Sequence, residues 1–198
     1  MTAAPPLWSP ARIPPAGLEG LDPSWSRLVT VPGLDDVGRT WHLLDTRPDG
    51  ADLTLLCVHG NPSWSYLYRT LAARAPEGVR VVAVDQLDMG FSERTGLTRR
   101  LATRVDDLCA LTDALALDGP VVTVGHDWGG PISLGWALRH RAQLDGIVLM
   151  NTAVHQPAGA PAPALIRLAR SRPLLQTVAV RTPTFVLGAV GMSRPRLP

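Results

Sequence analysis

The stretch "TVGHDWGGP", residues 123–131, carries an apolar strand-like segment through Gly125-His126-Asp127-Trp128-Gly129 into a run with helical spacing. A lone carboxylate, Asp127, therefore stands at the tip of a bend between strand and helix. Small residues at 125 and 129 permit a tight turn, and the amino end of the following helix favours negative charge. Capping a helix is an ordinary task for Asp in such a place. The neighbouring sequence decides whether it does more.

Outward from this bend, strand-like and helix-like segments alternate. "LTLLCVHG" (53–60) is continuously apolar and precedes a helical pattern, "PSWSYLYRTLAARA" (62–75), in which Pro62 suits the first turn. "VRVVAVD" (79–85) leads through a Gly/Ser loop to "RRLATRVDDLCALTDALAL" (99–117), where Leu101, Val105, Leu108, Thr112 and Leu115 form an apolar stripe. Arg104, Asp106, Asp107 and Asp113 fall mostly away from that stripe. "PVVTVGHD" (120–127), "GGPISLGWALRHR" (129–141) and "LDGIVLMN" (144–151) complete the series. Strands buried on both faces, with helices between them, define an α/β architecture with a mostly parallel sheet. Upstream, "WSRLVTV" and "RTWHLLDT" alternate around Pro32-Gly33 and Asp35-Asp36, which predicts a hairpin at one sheet edge. The expected organisation is an irregular Pro/Ala-rich arm over 1–22, a core over 23–152, and the start of a cap over 153–198.

Composition narrows the function classes. A chain of 198 residues with 45% hydrophobic residues can bury one substantial core. Its formal charge is only +2, and its 19 basic residues, all Arg, are scattered without the dense stripe that nucleic-acid binding uses. The N-terminus has no apolar run behind a positive start, as a signal peptide would, so a cytoplasmic protein is expected. "LLQTVAVRTPTFVLGAVGM" (174–192) is broken by Arg181 and Pro183 and reads as a cap or surface helix rather than a membrane span. Cys57 and Cys109 lie in apolar patterns and are expected as buried free thiols. No metal or organic cofactor is called for.

Gly125-His126-Asp127-Trp128-Gly129 fits the elbow pattern G-x-S-x-G with Asp in place of Ser, in the strand-turn-helix context that the pattern requires. The substitution changes the chemistry. A carboxylate is already an anion at neutral pH and attacks carbon without a base to activate it. The product is an ester on the protein, whose hydrolysis needs a water activated by a base, usually a histidine. "HGNP" (59–62) lies where an α/β-hydrolase fold supplies its second oxyanion donor. The N–H groups of Asn61 and Trp128 are therefore candidates for holding a developing oxyanion. Their side chains, an amide and an indole N–H, are candidates for cradling a departing anion. Taken singly, Asn61 reads as a turn residue and Trp128 as a core aromatic.

Three segments taken in order, "VHGNPSWSYLYR", "VVAVDQLDMGFSER" and "GHDWGGPISLGWALRHR", make the chain resemble the Asp-nucleophile α/β-hydrolases, above all the haloalkane dehalogenase-like group, over about residues 25–152. The resemblance implies Asp127 as nucleophile, Asn61 and Trp128 as leaving-anion donors, and a small hydrophobic substrate. "DQLDMGFSERTG" and "NTAVHQPAGAPAPALIRLAR" look most like the β-lactone decarboxylase of bacterial long-chain olefin biosynthesis, which implies association with other enzymes of that route. Epoxide hydrolases share the Asp elbow, but often carry an aromatic residue after His-Gly and use cap tyrosines. The tyrosines here, Tyr66 and Tyr68, fall in the first helical pattern instead.

Against the resemblance, Asp88 occupies a loop position where Gly is usual, although Asp tolerates left-handed backbone better than most residues. The family pattern also places the last strands, most of the cap and the catalytic histidine beyond residue 198, so the expected fold is incomplete. Neither that histidine nor its orienting acid is expected in this chain, and Asn151 stands where some relatives carry the acid. None of His42, His59, His126, His140 or His155 follows a final strand, and His155 is the nearest to a substitute. The reading is an enzyme domain that forms a covalent aspartyl ester but does not turn over. The alternatives are an epoxide hydrolase and a non-catalytic fragment or remnant.

Overall fold

A central parallel strand, β3 (Leu53–Val58), organises the molecule. In this computed structural model the described residues are 8–47, 51–117 and 119–155, with 159, 161, 167, 187 and 188 as isolated positions. The sheet and the elements packed on it occupy the unit Leu7–Val154. The expected cap start, 153–198, lies almost wholly outside the described residues, as do positions 1–7 of the expected arm.

The strand order is β1-β2-β4-β3-β5-β6, with β1 (Ser26–Pro32), β2 (Gly38–Asp45), β4 (Val79–Val84), β5 (Val121–His126) and β6 (Leu144–Met150). β1 and β2 form the expected antiparallel hairpin at one edge, and β2 also runs antiparallel to β4. The β4-β3, β3-β5 and β5-β6 pairs are parallel. Helices α1 (Arg69–Arg74), α2 (Leu101–Leu115) and α3 (Gly129–Arg139) connect them.

The continuous apolar runs of β3 and β4 make sense because both faces of the sheet are covered. Leu56, Val58, Val82 and Val84 join a core with Leu108, Leu111, Ile132 and Trp136 from α2 and α3. The alternate residues Cys57, Val81 and Ala83 join Tyr68 and Ala72 on the opposite face. Each fully buried Leu side chain stabilises this arrangement by about 2 kcal/mol. Both cysteines are buried and free, as expected, and burial pushes the Cys57 thiol well above its usual range. The arm meets the core through the main chain of Ser9 and Arg94, paired in both directions, and through Arg12 N–H donating to the Phe91 carbonyl.

Three expectations need correction. Pro62 does not begin a helix. Trp64 is extended, a 3-10 turn covers Ser65–Tyr68, and α1 starts only at Arg69. The Ser65 N–H instead donates to the buried carboxylate of Asp85, and the Trp64 ring packs on Tyr66 and Phe91. Asp107 is not on the solvent side of α2. It is only 4% exposed, and Arg99 from the preceding loop lies 3.0 Å from its Oδ2. Finally, β6 is not covered on both faces: Ile147, Val148 and Leu149 are 42%, 44% and 41% exposed. Among the described residues no strand pairs with its outer edge.

Asp88, in contrast, behaves as its tolerance for unusual backbone allows. Its φ is 68°, and its carboxylate is fully employed, accepting from the Thr95 N–H and hydroxyl and from Arg99 Nε. Asp in place of Gly thus ties the loop across residues 88–99.

Candidate active site

The register Val58↔Gly125 between β3 and β5 brings the two strand ends out side by side. β5 ends at His126, and Asp127 follows with φ 52°, a left-handed conformation that a non-Gly residue rarely adopts. The turn is held from several directions. The Asp127 N–H reaches the Met150 carbonyl at 3.3 Å, while its carbonyl accepts from Gly130 N–H at 3.0 Å and from Thr152 Oγ1 at 2.6 Å. Glycine is required on both sides. A Cβ at Gly125 would lie 2.7 Å from the Gly129 carbonyl oxygen, and one at Gly129 would collide with the Val58 carbonyl.

The Asp127 carboxylate is partly buried. Its Oδ1 accepts the Asn61 N–H at 2.9 Å, and no ion pair engages it among the described residues. Gly60 makes this approach possible, because a Cβ there would meet the Asp127 side chain. The structure therefore brings Asn61 to Asp127 through the main chain. Trp128, next in sequence, is 52% exposed. A small concavity bounded by Trp41, Val58, Gln86, Leu87, Arg104, Asp107, Leu108 and Ile132 does not include Asp127.

The histidines have distinct settings. His42 Nδ1 lies 2.9 Å from Asp85 Oδ2, with both side chains buried. Burial works to raise the Asp85 carboxyl, but the hydrogen bond and charge of His42 outweigh it and hold the group below its ordinary value. His59 is bonded at both ring nitrogens, Nδ1 to the Gly60 carbonyl and Nε2 to the Gln86 N–H. Its burial lowers its pKa and favours the neutral ring. His140 stacks on Trp136 and contacts Asp113 at 3.0 Å. His126 has a buried Nδ1 without a partner among the described residues, and His155 is exposed.

Tyr66 and Tyr68 are also committed. The Tyr66 hydroxyl donates to the Glu19 carbonyl, and the Tyr68 hydroxyl bridges the carbonyls of Val58 and Val124. Among the described residues no three His, Cys, Asp or Glu side chains gather as a metal site would require. Sequence reasoning passed over Gln86 and Thr152. Their signal was positional only: each lies two residues beyond the carboxyl end of a parallel strand, where ligand-facing groups of such sheets collect.

The strand order, the left-handed residue after β5 and the flanking glycines define an α/β-hydrolase, and the chain belongs to that family: a family model described as alpha/beta hydrolase fold matches residues 54–187. Among its relatives, the cis-3-alkyl-4-alkyloxetan-2-one decarboxylase of Xanthomonas campestris pv. campestris is 37% identical over 136 residues, covering 64% of this chain and 45% of that protein. Haloalkane dehalogenase 2 of Mycobacterium bovis is 34% identical over 139 residues, covering 70% of this chain and 48% of that protein. The chain thus spans less than half the length of these relatives. Among solved structures, the haloalkane dehalogenase DpaA of Paraglaciecola agarilytica NO2 superposes with a TM-score of 0.64 at 27% identity, over 77% of this chain and 50% of that one. The haloalkane dehalogenase DatA of Agrobacterium tumefaciens C58 gives 0.69 at 22% identity, over 83% and 56%, a likeness of fold. Among the described residues no helix is long and apolar enough to cross a membrane.

Proposed function

We propose that Asp127 is a nucleophile that forms a covalent ester with a small hydrophobic electrophile, a haloalkane or a β-lactone. The observation that carries this reading is the carboxylate itself. It is raised on a left-handed residue at the carboxyl edge of the sheet, with Oδ1 fixed by the Asn61 N–H and with no cation paired to it among the described residues. Oδ2 is then the attacking atom. Its electron pair forms the new C–O bond while the C–halogen bond breaks and the halide leaves with the bonding pair. With a β-lactone, the bond that breaks is a ring C–O bond, and the ring oxygen keeps the pair.

The names of the decarboxylase and dehalogenase relatives support these two substrate classes. The side chains of Asn61 and Trp128 are proposed to receive the departing anion, and the Asn61 N–H to hold the ester oxygen. The second step needs a base: His42, His59 and His140 are each engaged elsewhere, the Nδ1 of His126 is buried beside the turn, and His155 is exposed beyond β6. Among the described residues none of the five is paired with a carboxylate beside Asp127, and on this reading the 198-residue chain labels once and stops. Incubation with 1-bromohexane or a β-lactone, followed by intact mass and peptide mapping, should give a single adduct at Asp127. Product release beyond one equivalent, or an adduct elsewhere, would overturn the reading.

The bare outer face of β6 favours a second reading, a chain without chemistry that serves association alone. Absence of any adduct on a cooperatively melting chain would support it. The epoxide hydrolase reading finds no support in Tyr66 and Tyr68, whose hydroxyls are both bound to main-chain carbonyls.

A further inference from the structure

The peptide unit joining Gly60 to Asn61 presents its two polar ends to different partners. Its N–H points at Asp127 Oδ1, 2.9 Å away, and its carbonyl accepts from His59 Nδ1 at 2.7 Å and Ser63 Oγ at 3.1 Å. A peptide unit is planar, so whatever fixes the carbonyl also fixes the direction of the N–H. The ring of His59 is thus one handle on the contact to Asp127.

Gln86 holds that handle twice. Its main-chain N–H donates to His59 Nε2 at 3.1 Å, which leaves the ring proton on Nδ1, where the Gly60 carbonyl needs a donor. Its side-chain NH₂ donates to the His59 carbonyl, and its Oε1 accepts from Arg104 at 3.1 Å. The amide orientation is unambiguous, because a carbonyl only accepts and a guanidinium only donates. Gln86 is 4% exposed. The same Arg104 nitrogen donates to the Leu87 carbonyl at 3.2 Å, anchoring the loop after β4 to α2.

We infer that Gln86 is a positioning residue: held by Arg104 on α2, it fixes His59 and so aims the Asn61 N–H that orients the Asp127 carboxylate. This rests on the reading of Asp127 as nucleophile, and the two are separable by experiment. Gln86→Met removes both side-chain bonds at nearly constant length. Gln86→Glu keeps an acceptor for Arg104 but offers no donor to the His59 carbonyl. Arg104→Met leaves the Gln86–His59 bond and cuts the tether.

Two measurements on the 198-residue chain read the outcome. The first is the concentration dependence of Asp127 labelling by 1-bromohexane. The second is the pH titration of the Asn61 amide resonance, which follows the carboxylate it contacts. Both Gln86 variants are expected to lower the saturated labelling rate about ten- to a hundredfold with little change in the half-saturating concentration. They should also abolish most of the titration shift at Asn61, with Arg104→Met intermediate. If melting stays cooperative while rate and shift stay within about twofold of the parent, the inference is overturned and Asp127 as nucleophile stands. If the parent never labels but the Asn61 shift is lost on substitution, the positioning stands and the nucleophile reading fails. Should the Gln86 variants not fold, Arg104→Met carries the test through the same two readouts, and unchanged values overturn the inference.

Discussion

The main-chain N–H of Asn61 lies 2.9 Å from Oδ1 of Asp127, a contact between residues 66 positions apart. It exists because β3 and β5 are parallel neighbours, so the residues leaving their carboxyl ends emerge together. A hydrogen bond to a charged acceptor is worth about 1.5–3 kcal/mol. That is enough to favour one orientation of the carboxylate, with no partner on the other oxygen among the described residues.

Two glycines near this contact are predicted to fail in different ways. The three atoms nearest a Cβ at Gly60 all belong to the Asp127 side chain, its own Cβ among them, so the carboxylate and the turn that carries it must shift together. Gly60→Ala should therefore disturb the site before the core, labelling with 1-bromohexane at least about tenfold more slowly. A Cβ at Gly129 meets the main chain of Val58 and His59, at the end of a central strand. Gly129→Ala should cost about 3 kcal/mol or more in urea denaturation.

Trp136 is fully buried, and its indole N–H donates to Thr112 Oγ1 at 2.8 Å, pinning α3 to α2. Trp136→Phe leaves a void and removes that donor. We expect a loss of about 2–3 kcal/mol, measured by urea denaturation. Thr112→Val, which strands the indole N–H instead, should cost about 1–3 kcal/mol.

Asp107 should make stability fall as pH rises on the acid side. Burial raises its pKa from 3.8 to about 6, against the opposing pull of Arg99 and Arg104. Between those values the folded chain binds more protons than the unfolded one, so its stability declines with rising pH and is level above about 6. Asp85, whose pKa is lowered, acts with the opposite sign: its contribution is present above 3.8 and is lost as pH falls. Melting temperatures of parent and Asp107→Asn from pH 4 to 7 should converge toward acid and separate toward neutral, with the variant the more stable. A gap independent of pH would refute the assignment.

The outer strand β6 should govern self-association. Ile147, Val148 and Leu149 are exposed on a strand with no outer neighbour among the described residues, and such edges template pairing with other chains. Val148→Lys should reduce concentration-dependent association in sedimentation velocity, with a change in stability within about 0.5 kcal/mol. Equal association in parent and variant would show that another surface is responsible.

Much of this fold was legible because it rests on local spacing. The apolar runs of β3 and β4, the stripe Val105, Leu108 and Thr112, and the turn glycines 125 and 129 each follow from the period of an element or the sterics of a bend. Pro62 misled because a proline also suits an irregular turn, and here the Asp85 carboxylate, 20 residues from Ser65, captured the Ser65 N–H within the helical pattern. Asp107 misled for a related reason. A charged residue beside an apolar stripe reads as solvated unless its partner is known, and Arg99 reaches it from a loop outside the helix.

The sequence by itself determined the alternation of strands and helices and the position of Asp127 at a strand-to-helix bend, since both are set by residues within a few positions of one another. The tertiary structure decided which strand ends lie together, that Asn61 meets Asp127 by its N–H, and that Gln86 and Arg104 stand behind that contact. These depend on the order β4-β3-β5. Strand order is fixed by how the whole set of apolar faces is covered, and no single segment encodes it.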